Sequence, residues 1–385
     1  MKPSNRISKS GTYYFADKLK ELKKMQEAGN DILNLGVGSP DIAAPKLVID
    51  TLKETAYHKE ASQYQPYNGI AALRIGFSDW YRRVFDVTLD YETEILPLLG
   101  SKEAVMHIHL AFCNPGDTIL VPNPGYPAYA ASAKILGLTI VYYDLEESNN
   151  WMASIDQLQQ KVTRNCKILW VNYPNMPTGA VVGKKELSDL VNFAKHNNLL
   201  LVNDNPYSMV LNKTPLSVHS CSGNYENVLE LNSLSKSHNM SGWRVGFVSG
   251  SPINIKHILQ VKSNFDSGMY KPIQLAATKA LSLGEKWFNE LNSEYKERAK
   301  IVYELLDFLK CTYTENQSGM FVWAKVNSNQ LSGENLSNQL LYSTNIFVTP
   351  GFVFGSNGDQ YIRISLCASQ TQLKEALNRL KTMNL

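Results

Sequence analysis

The chain has 385 residues, 44% of them hydrophobic and 19% charged, the profile of an ordinary globular protein of two or three domains. Its 38 basic and 35 acidic residues leave a net charge of +3 with no long block of either sign, which argues against a nucleic-acid groove or an anionic membrane partner. No apolar run approaches the roughly 20 residues needed to cross a bilayer, and Met1-Lys2-Pro3-Ser4-Asn5-Arg6 opens without an apolar signal core, so a cytoplasmic protein is expected.

In chain order, Asp17 to Ala28 reads as an amphipathic helix, with Leu19, Leu22 and Met25 at helical spacing and Gly29 as its stop. Ile32 to Leu35 reads as a short strand, followed by the turn-rich Gly36-Val37-Gly38-Ser39-Pro40-Asp41. From about residue 45, helical stretches alternate with β-branched runs: 119–121, 140–143, 168–171, 199–202, 228–231 and 244–248. Continuous apolar strands separated by helices predict an α/β fold with a mostly parallel sheet covered on both faces. After about residue 275 the pattern changes to a long helical stretch, 273–310, with Gly284 a possible break. Two β-rich pieces, 321–324 and 361–364, and a last helix over 370–383 follow. This divides the chain into a large domain over 46–275 and a smaller α+β domain of 1–45 with 276–385. Without a Gly-, Ser- or Pro-rich linker, the two should pack tightly.

Five scattered cysteines with no CxxC pair support neither zinc nor a disulfide framework, and the histidines show no ligand spacing. His107 and His109 lie in an apolar run, where a packing role outweighs metal binding, so no metal is expected.

The most informative stretch is Ser233-Leu234-Ser235-Lys236-Ser237-His238-Asn239-Met240-Ser241-Gly242-Trp243-Arg244-Val245-Gly246. A lysine among small hydroxyl residues, with an arginine eight positions on, suits a phosphorylated aldehyde: the amine forms a Schiff base while arginine and serine take the phosphate. Gly242 and Gly246 permit bends around it. A solvated polar loop is the alternative.

Ligands of an open α/β sheet bind at the carboxyl ends of the strands, where further candidates fall. Ser101 and Lys102 open a helical run, either as a phosphate-holding start or as an ordinary cap by Ser101. Tyr126 follows a strand in Pro-Asn-Pro-Gly-Tyr-Pro and can lie flat on an aromatic ring, or simply pack. Asp204 follows another strand, with Tyr207 three residues later. A buried carboxylate there keeps a pyridine nitrogen protonated, whereas a turn-capping Asp is the alternative. Arg363, set in an apolar strand, needs an anion: a substrate carboxylate or an internal salt bridge.

Together and in this order, these segments resemble the class I/II family of fold-type I aminotransferases, which use pyridoxal 5′-phosphate. The resemblance runs from Leu35-Gly36-Val37-Gly38-Ser39-Pro40-Asp41 to Tyr361-Ile362-Arg363-Ile364-Ser365 and is most specific in the lysine run. It implies a fold-type I architecture and ping-pong transfer of an amino group between an amino acid and a 2-oxo acid. Lys236 would carry the cofactor and shuttle protons, Asp204 would pair with the ring nitrogen, Tyr207 would bond its O3′ and Tyr126 would stack on it. Ser101, Lys102, Ser233 and Arg244 would hold the phosphate. Tyr64 would reach the phosphate of a neighbouring subunit, which implies a homodimer. Arg363 would take the substrate carboxylate, helped by the backbone near Gly38. One position departs from the pattern: where the family turn reads Asn-Pro-Thr-Gly, this chain has Met176, a residue that cannot donate to O3′. On the same scaffold a C–S β-lyase is the alternative activity, and a non-catalytic cofactor-binding regulator another. Aromatic and apolar residues at 13–15, near Tyr64 and at Met269-Tyr270 lean the expected substrate toward neutral or aromatic amino acids.

Overall fold

Apolar runs in this chain become strands where β-branched residues cluster, and the computed structural model describes them over residues 2–8, 14–221, 226–327 and 331–382. Tyr13 and Met383, which entered the sequence expectations, lie outside these residues. The strands are β1 (Leu33–Asn34), β2 (Ile95–Leu98), β3 (Thr118–Asn123), β4 (Thr139–Asp144), β5 (Cys166–Val171), β6 (Leu200–Asp204) and β7 (Val228–Ser233). They continue as β8 (Gly246–Gly250), β9 (Cys311–Tyr313), β10 (Phe321–Val326), β11 (Ile346–Phe347), β12 (Thr349–Pro350) and β13 (Tyr361–Ser365).

Among the described residues, seven strands form one sheet in the order β2-β8-β7-β6-β5-β3-β4. The strands from β7 to β4 run parallel, while β8 is antiparallel to both β7 and β2. This is the mixed, mostly parallel sheet expected of the fold. Alternation along β3 explains its two-sided cover: Ile119 and Val121 pack with the helices Ser101–Phe112 and Pro127–Leu136, whereas Leu120 faces the opposite layer. That second layer holds the helix Lys184–His196 behind β5 and β6, and the helices Ala71–Phe85 and Lys271–Leu281 behind β2 and β8.

The smaller sheet, β12-β13-β10-β9, is antiparallel and is built wholly from residues after 310. β1 joins that region by pairing with β11. The stretch read as 273–310 is two helices, Lys271–Leu281 and Glu285–Phe308, the second opening at Gly284. Arg244, read as the start of a strand, stands outside β8 in the left-handed region at φ 57°. β2 was not anticipated, because Pro97 interrupts it; as an edge strand it tolerates the missing donor.

Phe247 shows how the second layer is held. It is fully buried in β8, with its ring 4.0 Å from that of Phe77. Phe247→Ala is expected to cost about 3–5 kcal/mol, read from the urea unfolding midpoint.

Candidate active site

The pairing register fixes which loops meet. Ser233 at the end of β7 lies opposite Gly246 at the start of β8, and Gly246 lies opposite Leu98 at the end of β2. The segments after β2, β3, β5, β6 and β7 therefore open onto one edge of the sheet. Here a cavity of about 330 Å³ is lined by Gly38, Ser101, Lys102, Tyr126, Asp204, Tyr207, Ser233, Lys236, Arg244 and Arg363. Of the residues given a cofactor or carboxylate role from sequence, Tyr64 alone is missing from this wall and is 91% exposed; Met269 and Tyr270, expected to shape the substrate pocket, are missing too.

Asp204 ends β6 almost fully buried. Its Oδ2 accepts from the Tyr129 hydroxyl at 2.8 Å, and its backbone carbonyl accepts from Asn172 Nδ2. Its Oδ1 is buried with no partner among the described residues. Burial raises the carboxyl pKa to about 6, against the opposing pull of the Tyr129 hydrogen bond. Tyr129 itself is fixed by stacking on Trp170, centroid to centroid 4.5 Å, and Trp170 donates to His109 Nε2 at 2.9 Å. His109 is thus a satisfied core residue, its Nδ1 being 2.9 Å from Ser132 Oγ. A carboxylate oxygen held ready with nothing bonded to it suits a protonated ring nitrogen.

Lys236 sits on a single helical turn, Leu234–Ser237, capped by the Ser233 hydroxyl, which accepts from Ser235 N at 3.1 Å. Its Nζ donates to the Gly38 carbonyl. Burial pulls its pKa down to about 8; the charges of Arg363 and Arg244 act in the same direction and Cys367 opposes them. An amine with a lowered pKa is a better nucleophile near neutral pH.

The corner beside it is built by close backbone approach. Gly100, at φ 83°, lies against the Arg244 guanidinium so closely that a Cβ would collide with Nη2. A Cβ on Gly246 would lie 2.6 Å from Ser101 N and 2.9 Å from Asn232 O, whereas one on Gly242 meets open space. Gly246 is needed for this approach; Gly242 is not. The cap of the helix Ser101–Phe112 is Gly100, so Ser101 is its first helical residue and not the capping residue. Its amide and hydroxyl, Lys102 and Arg244 suit a dianionic phosphate at a helix start. Burial, and then the Arg244 charge, lower the Lys102 pKa.

Arg363 lies in β13 opposite Trp323 and Thr349. Its Nη2 donates to the Gly36 carbonyl at 2.7 Å and its Nη1 contacts Met176 Sδ at 3.2 Å. The guanidinium lies over the rings of Phe321 at 3.8 Å and Phe354 at 4.6 Å. Met176 therefore reaches the cavity wall, and Asn175 does not take its place. Asn175 Oδ1 is bound by Thr178 N and Oγ1, and its Nδ2 is buried without a partner among the described residues. Tyr126 lines the wall edge-on to Tyr129, with centroids 5.5 Å apart.

Sequence reasoning missed Tyr129, Asn172 and the rings of Phe321 and Phe354, which join Phe15, expected in the pocket, beside the Arg363 guanidinium. Asn172 was legible as the residue right after β5, at the same edge as Asp204; the rings carried no local signal. It also missed that His107, Glu103 and Asp266 draw together, neither His107 nitrogen having a partner among the described residues. The Lys262 ammonium already sits on both Asp266 oxygens and supplies the counter-charge there.

The raised pKa of Asp204 has a testable sign. The folded chain holds that proton up to about pH 6 and the unfolded chain only to about 3.8, so stability is full at low pH and falls as pH rises between these values. With nothing bound, Asp204→Asn should abolish this fall and be worth up to ~3 kcal/mol at pH 7. Urea denaturation at pH 4 and pH 7 measures it, and equal pH dependence in both proteins contradicts it.

Residues 30–380 match the family model described as aminotransferase class I and II. The chain is 36% identical over 384 residues to an LL-diaminopimelate aminotransferase of Aquifex aeolicus, covering 99% of each protein. It is 37% identical over 382 residues to the enzyme of that name from Natranaerobius thermophilus, again covering 99% of both. Among solved structures, substrate-bound BacF from Bacillus subtilis superimposes with a TM-score of 0.96 at 29% identity, over 100% of this chain and 98% of that one. An aspartate aminotransferase from Thermotoga maritima gives 0.90 at 26% identity, over 98% and 99%. Members of this family use pyridoxal 5′-phosphate and exchange amino and 2-oxo acids, and the open Asp204 oxygen, the half-buried Lys236 amine and the Gly100–Arg244 corner fit that cofactor. The chain belongs to the class I and II aminotransferases and is a pyridoxal-phosphate-dependent transaminase of fold type I.

Proposed function

We propose that the amino donor is a long amino acid with a second charged end, of the diaminopimelate type, in place of the neutral or aromatic donor that the apolar residues suggested. The observation that carries this is the shared name of the relatives at 34–37% identity over nearly the whole chain. A feature of the site supports it: a second cavity of about 540 Å³ adjoins the first through Lys102, Tyr126, Pro127 and Phe354 and adds Lys134, Tyr14 and Tyr142. Ammonium and hydroxyl groups beyond the apolar wall suit a distal polar end. The Phe15, Phe321 and Phe354 rings favour a second reading, an aromatic donor, which the same assay tests.

In this reading Arg363 and the backbone at Gly38 take the α-carboxylate, which aims the Cα–H bond at Lys236. Lys236 would carry the cofactor aldehyde and, once its amine is free, would lift the proton from Cα and return it two atoms away, across the nitrogen. Its lowered pKa leaves it able to accept that proton near neutral pH. Pyridoxal 5′-phosphate, when bound, supplies the ring that takes up the electron pair of the broken Cα–H bond. Asp204 would hold the ring nitrogen protonated through its open Oδ1, Tyr207 would donate to the ring's O3′, and Tyr126 would cover the ring face. Ser101, Lys102, Ser233 and Arg244 hold the phosphate.

Tyr64 completes the phosphate site from a second subunit. Supporting this, the segment carrying exposed Tyr57, Tyr64 and Tyr67 rests on the one carrying exposed Phe265 and Tyr270, where Gly268 lies against the Pro66 and Gln65 carbonyls. A tyrosine-rich exposed face of this kind suits a homodimer. The division into 46–275 against 1–45 with 276–385 and a cytoplasmic setting go with this reading. The packing of Lys271–Leu281 on the helix Lys46–Ala56 supports a junction nearer Gly284.

A panel of amino donors with 2-oxoglutarate, followed by the loss of cofactor absorbance in the half-reaction, tests the substrate. Diaminopimelate is expected to exceed methionine and phenylalanine by at least about tenfold in kcat/KM, and the reverse order would establish the aromatic reading. Lys236→Ala should abolish turnover and visible absorbance. Met176→Asn, which adds a donor at O3′, should lower the pH at which the bound cofactor's visible band converts; an unmoved titration refutes that role for position 176.

A further inference from the structure

The loop 35–41 presents its carbonyls to the two charged groups of the site: Gly36 O to Arg363 and Gly38 O to Lys236. Its first end is tied by backbone bonds, Leu35 N to Phe347 O at 2.8 Å and Ser365 N to Leu35 O at 2.7 Å. Its faces are closed, because a Cβ on Gly36 or Gly38 would collide with the ring of Phe347 or Phe321. Its far end has a different anchor. Asp41 is held bidentately by Arg298, Nη1 to Oδ1 at 2.6 Å and Nη2 to Oδ2 at 3.0 Å. Arg298 comes from the helix Glu285–Phe308, is buried, and is absent from the cavity wall.

The same guanidinium binds a second element. Nη1 also donates to the Leu366 carbonyl at 2.9 Å, three residues beyond Arg363. Nε is held by Glu294 Oε1 at 2.8 Å, and the other Glu294 oxygen accepts from Gln370. One planar fork thus joins the loop, three residues past Gly38, to the end of the strand that carries Arg363. Three residues reach no further than about 10 Å, so the spacing between Gly38 and Arg363 is set within a short span of the clamp. Arg298 is buried but the Asp41 side chain keeps 33% of its exposure, and a solvent-reached ion pair contributes little net stability, so its effect here is geometric.

We propose that Arg298 is a positioning residue for transamination: through Asp41 and the Leu366 carbonyl it fixes the distance between the Gly38 backbone and the Arg363 guanidinium, and so the seat of the substrate carboxylate. The inference rests on the reading that Gly38 and Arg363 bind that carboxylate. The clamp touches neither Asp204 nor the Gly100–Arg244 corner, and its one link to the cofactor end is the Gly38 carbonyl beside Lys236. Binding should therefore suffer while the cofactor's own environment stays as it was.

The test uses the holoenzyme with diaminopimelate as donor and maleate as an unreactive carboxylate probe. Arg298→Met is expected to raise KM and the maleate Kd together by about tenfold, with kcat within about threefold and the cofactor's visible titration unmoved. Asp41→Asn should act in the same direction but less, and the double variant should be no worse than Arg298→Met, because both remove one contact. Arg298→Lys, which keeps the charge but loses the fork, should fall between wild type and Arg298→Met, and it carries the test if the methionine variant fails to fold. KM and maleate affinity within twofold of wild type, a loss confined to kcat, or full additivity of the two variants would overturn the proposal. Arg363→Lys is measured alongside. If it leaves maleate affinity unchanged, the carboxylate reading itself fails; if it weakens maleate while Arg298→Met does not, only the clamp fails.

Discussion

The site depends on one antiparallel strand in an otherwise parallel run. β8 lies between β7 and β2 with Gly246 opposite both Ser233 and Leu98, so three distant segments end at one point. The register leaves Gly246 no room for a side chain, because Ser101 N and Asn232 O close in on it. A one-residue slip would turn Ser101 and Arg244 away from each other, and each neighbouring strand would present its opposite face. The layers on both sides of the sheet oppose such a slip, since β3, β7 and β8 are buried along their whole length and every side chain would have to repack in the other layer.

On that frame the electrostatics are set by burial. Asp204 and Lys236 are pushed in opposite directions, the acid up to about 6 and the amine down to about 8, for the same reason. Both shifts bring the groups nearer neutrality and leave each receptive to a partner of opposite character. Tyr129 moderates the cost for Asp204 by holding one oxygen, and the Trp170 stack holds Tyr129. The acid is thus supported by a chain of packed rings that lies behind the cavity wall.

Much of this was legible because the chemistry demands residue types that are rare in their settings. A lysine among serines, a carboxylate at a strand end and an arginine inside an apolar strand each conflict with burial unless a ligand resolves the conflict, and each lines the cavity. Tyr129 was not legible, since a tyrosine two residues into a helix carries no mark that its hydroxyl will meet a residue 75 positions later. Arg298 was hidden for the same reason: its partners Asp41 and Leu366 come from opposite ends of the chain. The sheet was readable through its apolar strands, but not at β2, whose proline suppressed the pattern; the break between the two helices was readable from Gly284. Local rules identify the groups; only packing tells which of them hold one another.

The bare backbone at positions 36 and 38 also bears on how such an enzyme changes its diet. Rings press on both glycines, so no side chain can be introduced there without unseating Phe347 or Phe321. The floor of the pocket is closed to mutational exploration. The helix Tyr14–Glu27 contributes Phe15 and Leu19 to the wall, and both retain solvent contact. Divergence toward new donors has room at Leu19, whereas Phe15 stays tied to the carboxylate end, its ring 5.8 Å from the Arg363 guanidinium.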